Sequence, residues 1–220
     1  MTRAGLIVVG SHTDVGKTFV ACALVRGLVA RGVDVVPRKP VLSGVDDDDA
    51  ALATSDAGLL LGAAGRPVDR AGIDAVAPLR FRRPLAPDAA ARAEGHTLQI
   101  RDVVAAATTT SGSFVVVETA GGVMSPVADD GLVVDVAVAL ALPCVLVVGA
   151  YLGGISHGLS AVAVLRQRGL DVAAVVVNRA DGQPVVDSDV EPFRRFLPGE
   201  VVTSTGVADW VERVLGAVQI

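Results

Sequence analysis

A glycine-rich segment near the start of the chain has the residue types of a phosphate-binding loop. It reads Gly10-Ser11-His12-Thr13-Asp14-Val15-Gly16-Lys17-Thr18 and lies between an apolar run and a stretch with helical spacing. Polyphosphate is held well by backbone N–H groups at a helix start and by a lysine that reaches the terminal phosphates. A hydroxyl after that lysine can ligate Mg²⁺. The usual spacing would place the first glycine at Ser11, so the loop belongs to a variant type; a chance Gly-Lys-Thr at a turn is the alternative.

Further side chains that could act on phosphate follow the second apolar run. Lys39 and Ser43 lie in Lys39-Pro40-Val41-Leu42-Ser43-Gly44, directly after a predicted strand. A lysine at this edge of a sheet can neutralise charge on a transferring phosphoryl group or on a carboxylate-like acceptor. The alternative for Lys39 is a solvated lysine at the end of a strand.

Two acids are candidates for binding a metal ion. Glu118 ends the third apolar run, and Asp56 stands at the start of a predicted helix. Carboxylates that face a phosphate loop suit Mg²⁺, which prefers hard oxygen ligands. The alternative for Asp56 is an acid that stabilises the helix N-terminus. The acidic run 46–49 competes for the metal, although we interpret it mainly as a solvated loop.

Apolar runs alternate with helical stretches along the whole chain. The runs are continuous, as in strands covered on both faces, and they span 6–9, 33–36, 114–117, 143–148 and 172–177, with a weaker strand at 201–202. Helices are predicted at 17–30, 49–62, 98–110, 131–141, 156–168, 187–196 and 208–218. This order predicts an α/β fold of the P-loop NTPase type, with a single doubly wound domain over residues 1–220 and a mainly parallel sheet flanked by helices. Ligands then bind at the carboxyl ends of the strands, and the Pro- and Arg-rich stretch 65–94 is predicted to form a surface excursion beside them.

Composition argues against several other classes of protein. Hydrophobic residues make up 51% of the 220 residues and aromatic ones only 3%, so the core must consist of Val, Ala and Leu. A net charge of −5 argues against a nucleic-acid partner, which would require a basic face. The most membrane-like region, 133–150, is interrupted by Asp135 and Pro143, which favours a buried helix and strand over a membrane span. Cys22 and Cys144 are isolated, as in core residues of a cytoplasmic protein.

Five motifs, in order, resemble the dethiobiotin synthetases, the ATP-dependent cyclo-ligases of biotin synthesis. They are the loop through Gly16-Lys17-Thr18; Lys39-Pro40-Val41 with Ser43-Gly44; Ser55-Asp56; Val117-Glu118 with Ala120-Gly121-Gly122; and Leu152-Gly153-Gly154-Ile155-Ser156-His157. Asn178 stands where the family has an asparagine that binds adenine. Three features depart from the family pattern: Thr119 replaces a glycine, Ser156 replaces an asparagine, and 201–206 lacks the usual Ile-Pro and acidic residues.

The resemblance implies a reaction and a set of site residues. A diamine, 7,8-diaminopelargonic acid, would react with carbon dioxide and ATP to give dethiobiotin through a carbamate and its mixed anhydride with phosphate, with Mg²⁺ as cofactor. The catalytic residues would be Lys39, Lys17, Ser43 and Thr13. ATP would contact Thr13, Asp14, Val15, Gly16, Lys17, Thr18, Phe19, Glu118, Gly121, Gly122 and Asn178. The metal would contact Thr18, Asp56 and Glu118. The diamine would contact Lys39, Ser43, Gly153, Gly154, Ile155 and Ser156, the last four at a helix start and across the interface of a homodimer. Neither nucleic acid nor a membrane is an expected partner.

Two related classes of protein are the main alternatives. Partition-type ATPases carry a second lysine early in the loop, and the corresponding residue here is His12. Synthetases of the cobyrinic type normally carry a glutaminase domain, for which 220 residues leave no room. His12 itself either contacts a phosphate or the substrate or has no role.

Overall fold

The computed structural model describes residues 4–109 and 112–217. In chain order, its strands are β1 (Gly5–Gly10), β2 (Val35–Arg38), β3 (Val41–Ser43), β4 (Leu79–Phe81), β5 (Phe114–Glu118), β6 (Pro126–Ala128), β7 (Gly131–Leu132), β8 (Cys144–Gly149), β9 (Val172–Asn178) and β10 (Val201–Thr203). Its helices are α1 (Lys17–Val29), α2 (Asp49–Thr54), α3 (Asp56–Ala63), α4 (Arg70–Val76), α5 (Pro87–Ala93), α6 (Ile100–Ala107), α7 (Val133–Leu140), α8 (Gly154–Gln167), α9 (Asp187–Phe196) and α10 (Val207–Ala217).

Six of the strands form one parallel sheet in the order β10-β9-β8-β1-β5-β2, while β3 pairs with β4 and β6 with β7 in two small sheets. The chain begins in the middle of the large sheet, and later strands extend it on both sides of β1. Helices cover both faces, since connections between parallel strands must cross over. The predicted α/β fold with a doubly wound, mainly parallel sheet is therefore confirmed.

Alternate residues of each central strand pack into two separate apolar clusters. In β1, Ile7 and Val9 face the cluster that includes Leu165 of α8 and Phe193 of α9. Val8 faces the other cluster, which contains residues of α1, α3 and α10. Both faces are buried, which explains why the strands are runs of Val rather than alternations with polar residues.

The register of three strands brings their carboxyl ends to one edge. Val8 of β1 is aligned with Glu118 of β5, and Arg38 of β2 is aligned with Val117. The loop after Gly10, the residue after Arg38 and the side chain of Glu118 therefore share this edge, where ligands of open α/β sheets bind.

Two of the predicted elements have different bounds in the structure. The helix expected at 49–62 is two helices, because Ser55 is extended, its hydroxyl donates to Leu52 O, and its Oγ caps the N–H of Gly58. The strand expected at 33–36 lies two residues later, where the edge strand β2 pairs with β5 from Phe114 onward. An edge strand tolerates the half-buried Arg38 that the apolar pattern did not include.

The remaining helices were predicted to within two or three residues of their bounds. The predictions at 17–30, 131–141, 156–168 and 187–196 correspond to α1, α7, α8 and α9. Those at 98–110 and 208–218 correspond to α6 and α10, although positions 110 and 218 lie outside the described residues. The remaining strand predictions are likewise confirmed to within two residues.

The stretch 65–94 is more than the predicted surface excursion. It contains α4, β4 and α5, and it buries Ile73, Val76, Ala90 and Ala91 in the apolar clusters. The prediction of a surface excursion was wrong in this respect, because the many Pro and Arg residues obscured the apolar faces of short helices in the sequence pattern. The stretch 65–94 does lie beside the carboxyl edge of the sheet, as predicted, since Leu85 O accepts a hydrogen bond from the Ser43 hydroxyl.

Region 133–150 is a helix followed by a buried strand, as predicted. Over residues 4–109 and 112–217, the structure contains no helix of the length and apolarity needed to cross a membrane. Cys22 and Cys144 are free and buried, which confirms that they are core residues.

Two glycines of α3 provide a test of how tightly this helix is held. A Cβ at Gly58 would lie 2.1 Å from Ala53 O, whereas a Cβ at Gly62 would meet nothing within 4 Å. We expect Gly58→Ala to lower the free energy of unfolding by about 1–3 kcal/mol, because α2 and α3 must separate. The matched Gly62→Ala should raise it by up to about 1 kcal/mol through helix propensity. Urea unfolding measures both, and equal effects of the two changes would contradict the packing described here.

Candidate active site

A polar cavity of about 350 Å³ opens at the carboxyl edge of the sheet. Its lining consists of Thr13, Asp14, Gly16, Lys17, Thr18, Lys39, Val41, Leu42, Ser43, Asp56, Glu118, Ala120 and Gly121. The volume lies within the range of small-molecule sites, about 300–1,000 Å³. Most of the residues that the sequence singled out therefore share one cavity.

The phosphate loop runs from the end of β1 to the start of α1. Gly16 has a φ of 94°, and Asp14 has a φ of 59°, both in the region that favours residues without a bulky Cβ. A Cβ at Gly16 would also lie 2.1 Å from the Asn178 amide nitrogen. Two independent constraints thus require glycine directly before Lys17, and they leave backbone N–H groups of the first turn of α1 at the cavity.

Lys17 is almost completely buried at the bottom of the cavity. Its side-chain ammonium donates to the His12 carbonyl oxygen at 3.3 Å, and the residue is 6% exposed. Burial, followed by the nearby charge of Lys39, lowers its pKa to about 8. Its ammonium is therefore poorly solvated, and an anion in the cavity would stabilise it.

Thr18, Asp56, Glu118 and Lys39 form one polar cluster, in which Lys39 and Glu118 are buried and the other two are partly exposed. Lys39 Nζ lies 2.5 Å from Glu118 Oε1 and 2.8 Å from Asp56 Oδ2. Thr18 Oγ1 lies 2.8 Å from Asp56 Oδ1 and 2.7 Å from the same Glu118 Oε1. A hydroxyl has one hydrogen to donate, so it satisfies only one of these two carboxylates at a time.

The pKa values of this cluster reflect burial and one shared positive charge. Burial is the largest effect on Lys39 and opposes its charge, yet Glu118 and Asp56 together outweigh it and raise the Lys39 pKa. For Glu118, which is fully buried, burial raises the pKa. For Asp56, the opposing effect of burial is exceeded by Lys39 and Thr18, so its pKa is lowered.

The cluster has the chemistry of a site for a hard cation. Thr18, Asp56 and Glu118 supply oxygen ligands only, the type that Mg²⁺ prefers. Glu118 Oε2 is buried and has no hydrogen-bond partner among the described residues, and such an atom is costly to bury unless something binds it. No group of three or more His, Cys, Asp or Glu side chains with metal-binding geometry occurs in the chain from 4 to 109 and 112 to 217.

Glycines let the segment after β5 approach the phosphate loop. Gly121 has a φ of 70°, and a Cβ at Gly122 would lie 2.9 Å from Ser11 O. The N–H of Val123 donates to Gly10 O, which joins the two segments. Gly121 lines the cavity, whereas Gly122 is not among its lining residues.

Some sequence-predicted residues lie outside the cavity lining. Val15 is a core residue whose carbonyl accepts a hydrogen bond from Asn178 Nδ2 at 2.9 Å. Phe19 is 56% exposed on α1. Asn178 therefore supports the phosphate loop in this structure, and a contact with a base remains a prediction.

The four residues 153–156 also lie outside the cavity lining, at the start of α8. Gly153, Ile155 and Ser156 are exposed, Gly154 is buried, and the neighbouring Leu152 is fully exposed. Their position follows from β8, which ends at the same edge of the sheet. A role in binding a substrate across a dimer interface remains a prediction.

The acidic run 46–49 does not contribute to the cavity. Asp47 pairs with Arg70 and Arg80, and the carboxylate of Asp48 caps α2. Of the competing acids, only Asp56 therefore reaches the polar cluster, because it starts α3 on the side of the phosphate loop.

The rings of His12, Tyr151 and His157 form a group beside the phosphate loop that was not predicted from the sequence. The Tyr151 hydroxyl lies 2.5 Å from His157 Nδ1 and 3.4 Å from His12 Nδ1. His12 and His157 lie in motifs identified from the sequence, but Tyr151, the only tyrosine of the chain, which joins them, does not. Val41, Leu42 and Ala120 line the cavity as well, and their apolar side chains gave no chemical signal.

Comparisons with known proteins support the same family as the motifs. A family model described as an AAA domain matches residues 4–219. The ATP-dependent dethiobiotin synthetase BioD of Phenylobacterium zucineum (strain HLK1) is 51% identical over 220 residues, covering 96% of this chain and 93% of that protein. The protein of the same name from Methylobacterium nodulans is 43% identical, covering 81% of this chain and 82% of the relative.

Solved structures share the fold at much lower identity. The MinC:MinD cell division protein complex of Aquifex aeolicus has a TM-score of 0.55 at 14% identity, covering 99% of this chain and 98% of that one. MinD of the same organism has a TM-score of 0.51 at 15% identity, with the same coverage. These likenesses concern the fold alone, whereas the sequence relatives match over nearly the whole chain at high identity. The chain therefore belongs to the family of ATP-dependent dethiobiotin synthetases.

Proposed function

We propose that this protein is an ATP- and Mg²⁺-dependent cyclo-ligase that converts 7,8-diaminopelargonic acid and carbon dioxide to dethiobiotin. The observation that carries the proposal is the shared cavity of Lys17 and Lys39, with Thr18, Asp56 and Glu118 beside them. The named relatives support the choice of reaction. Two free, buried cysteines suit a cytoplasmic location.

In the proposed reaction, one amine of the diamine attacks carbon dioxide and loses a proton, which gives a carbamate. The carbamate oxygen then attacks the γ-phosphorus of ATP, and ADP leaves. The second amine attacks the carbonyl carbon of the mixed anhydride, phosphate leaves with the C–O bond electrons, and a proton is released as the cyclic urea closes.

The residues of the chain act in this scheme by position and charge. Backbone N–H groups from Thr13 to Thr18 hold the phosphates at the start of α1. Lys17 and Lys39 offset the negative charge of the phosphoryl group and the carbamate, while Thr13 and Ser43 orient oxygens by hydrogen bonds. Thr18, Asp56 and Glu118 would hold Mg²⁺, which neutralises phosphate charge when bound.

The substrate carboxylate is proposed to bind at residues 153–156 of a partner subunit. Gly153 has a φ of 93° and directly precedes the first turn of α8, and the start of a helix suits an anion. Leu152 and Ile155 are exposed beside them, as expected of residues that a second copy would cover.

A partition-type ATPase is the alternative function. The MinD structures share the fold at 14–15% identity, and the fold alone hosts many functions. Residue 12 is a histidine, so the early lysine of that class is missing.

The function is tested by incubating the protein with diaminopelargonic acid, bicarbonate and Mg-ATP. We expect dethiobiotin, detected by mass spectrometry, and ADP in equal amounts. ATP hydrolysis that does not respond to the diamine, without dethiobiotin, would remove the proposal in favour of the alternative ATPase.

We expect Lys39→Ala to abolish turnover while nucleotide still binds, because the phosphate loop does not need this side chain. Loss of a charge that acts on the transferring group should lower kcat by at least about 10²–10³-fold. Arg38→Ala is the matched control, since the neighbouring arginine lines a different cavity; it should change kcat less than twofold. Undiminished activity of Lys39→Ala would show that Lys39 does not act in the reaction.

Nucleotide affinity should fall as the pH rises above about 8, the pKa of Lys17 in the free protein. Bound phosphates favour the charged lysine, so its pKa is higher in the complex. Below about pH 8 both states carry the proton and affinity is constant; above it, the free protein must take up a proton to bind. Calorimetric titration of an ATP analogue between pH 7 and 9 measures this effect, with a buffer of matched ionic strength. An affinity that increases over this range would contradict the assignment.

A further inference from the structure

The position between the two metal-site carboxylates is already taken by a positive charge. Lys39 Nζ contacts Glu118 Oε1 at 2.5 Å and Asp56 Oδ2 at 2.8 Å. Lys39 is 4% exposed and Glu118 is completely buried. The pair of Lys39 with Glu118 is therefore screened little by solvent, whereas the Asp56 side chain, 34% exposed, opens to the cavity.

Thr18 completes the surroundings of this ammonium group. Its hydroxyl oxygen contacts both carboxylates, including the oxygen of Glu118 that Lys39 contacts. Two of the three side chains whose oxygens would bind Mg²⁺, Glu118 and Asp56, thus contact Lys39 directly, and Thr18 contacts Lys39 only through them. Lys17, the other lysine of the cavity, donates to the His12 carbonyl; along the described chain, the ion pairs of Asp56 and Glu118 are with Lys39.

A metal ion and the ammonium group cannot share this position. Mg²⁺ binds its oxygen ligands at about 2.0–2.1 Å, so an ion bound by the carboxylates of both Glu118 and Asp56 would lie close to Nζ, which contacts both of them. Two such charges repel strongly where solvent is excluded. The pair of carboxylates carries two negative charges, and Lys39 already balances one of them.

We propose that Lys39 is a built-in competitor for the metal, which occupies the cation site until Mg²⁺ arrives with the nucleotide. Free Mg²⁺ binds weakly because it must displace Lys39, whereas nucleotide phosphates add ligands and charge that favour the exchange. Displacement frees the ammonium within the same cavity that Thr13 and Ser43 line. Metal binding would thereby deliver Lys39 to the reacting groups. The inference rests on the proposed function for the metal site itself.

The test is the affinity of the nucleotide-free protein for Mn²⁺, measured by electron paramagnetic resonance of the free ion. Lys39→Met removes the competing charge and should tighten Mn²⁺ binding at least tenfold. Lys39→Gln keeps a hydrogen-bond donor beside the carboxylates, so it gives the same test if the Met variant folds poorly. Arg38→Met is the matched control, because it removes an equal charge one residue away and should change the affinity less than twofold.

Unchanged or weaker Mn²⁺ binding by folded Lys39→Met or Lys39→Gln would overturn the proposal, as would equal tightening by Arg38→Met. The result does not depend on turnover. Failure to form dethiobiotin would refute the proposed function, whereas the Mn²⁺ affinities would still decide whether Lys39 blocks the cation site.

Discussion

The structure of the site depends on one buried ion cluster, in which Lys39 lies between Glu118 and Asp56. Lys39 and Glu118 are buried charges, which are costly to bury and are stable only when paired. Three separate elements must therefore meet correctly: the end of β5, the residue after β2 and the first residue of α3. The parallel register of β1, β2 and β5 provides that meeting, since all three strands end at the same edge.

Close backbone approach is the second constraint on the site. Gly16 leaves room for Asn178, and Gly122 leaves room for Ser11. In both places a larger residue would push apart the phosphate loop and a neighbouring strand end. The valine-rich strands need no such precision, because apolar side chains of similar volume can replace one another at small cost. Apolar packing therefore determines the arrangement of strands and helices, while glycines and buried charges determine where the reactive side chains lie.

Much of the fold and of the candidate site could be predicted from the sequence, because the reactive residues directly follow strands. Glu118 directly ends an apolar run, and Gly16, Lys17 and Thr18 open a helix, so their common location follows from parallel topology. The break at Ser55 was not visible, because both flanking stretches have helical composition and a single hydroxyl decides the boundary. The ring cluster at Tyr151 depends on a contact between residues 139 positions apart in sequence, which no local pattern encodes. For Asn178, the sequence predicted the position at the end of a strand but not the contact, because its amide donates to the backbone of the phosphate loop.

The most direct test of the account is a crystal structure with Mg²⁺, a non-hydrolysable ATP analogue and the diamine. We expect phosphates on the backbone N–H groups of residues 13–18, the metal on oxygens of Thr18, Asp56 and Glu118, and the Lys39 ammonium turned from the carboxylates toward the γ-phosphate. Phosphates bound away from this loop, or a metal bound without Asp56 and Glu118, would contradict it.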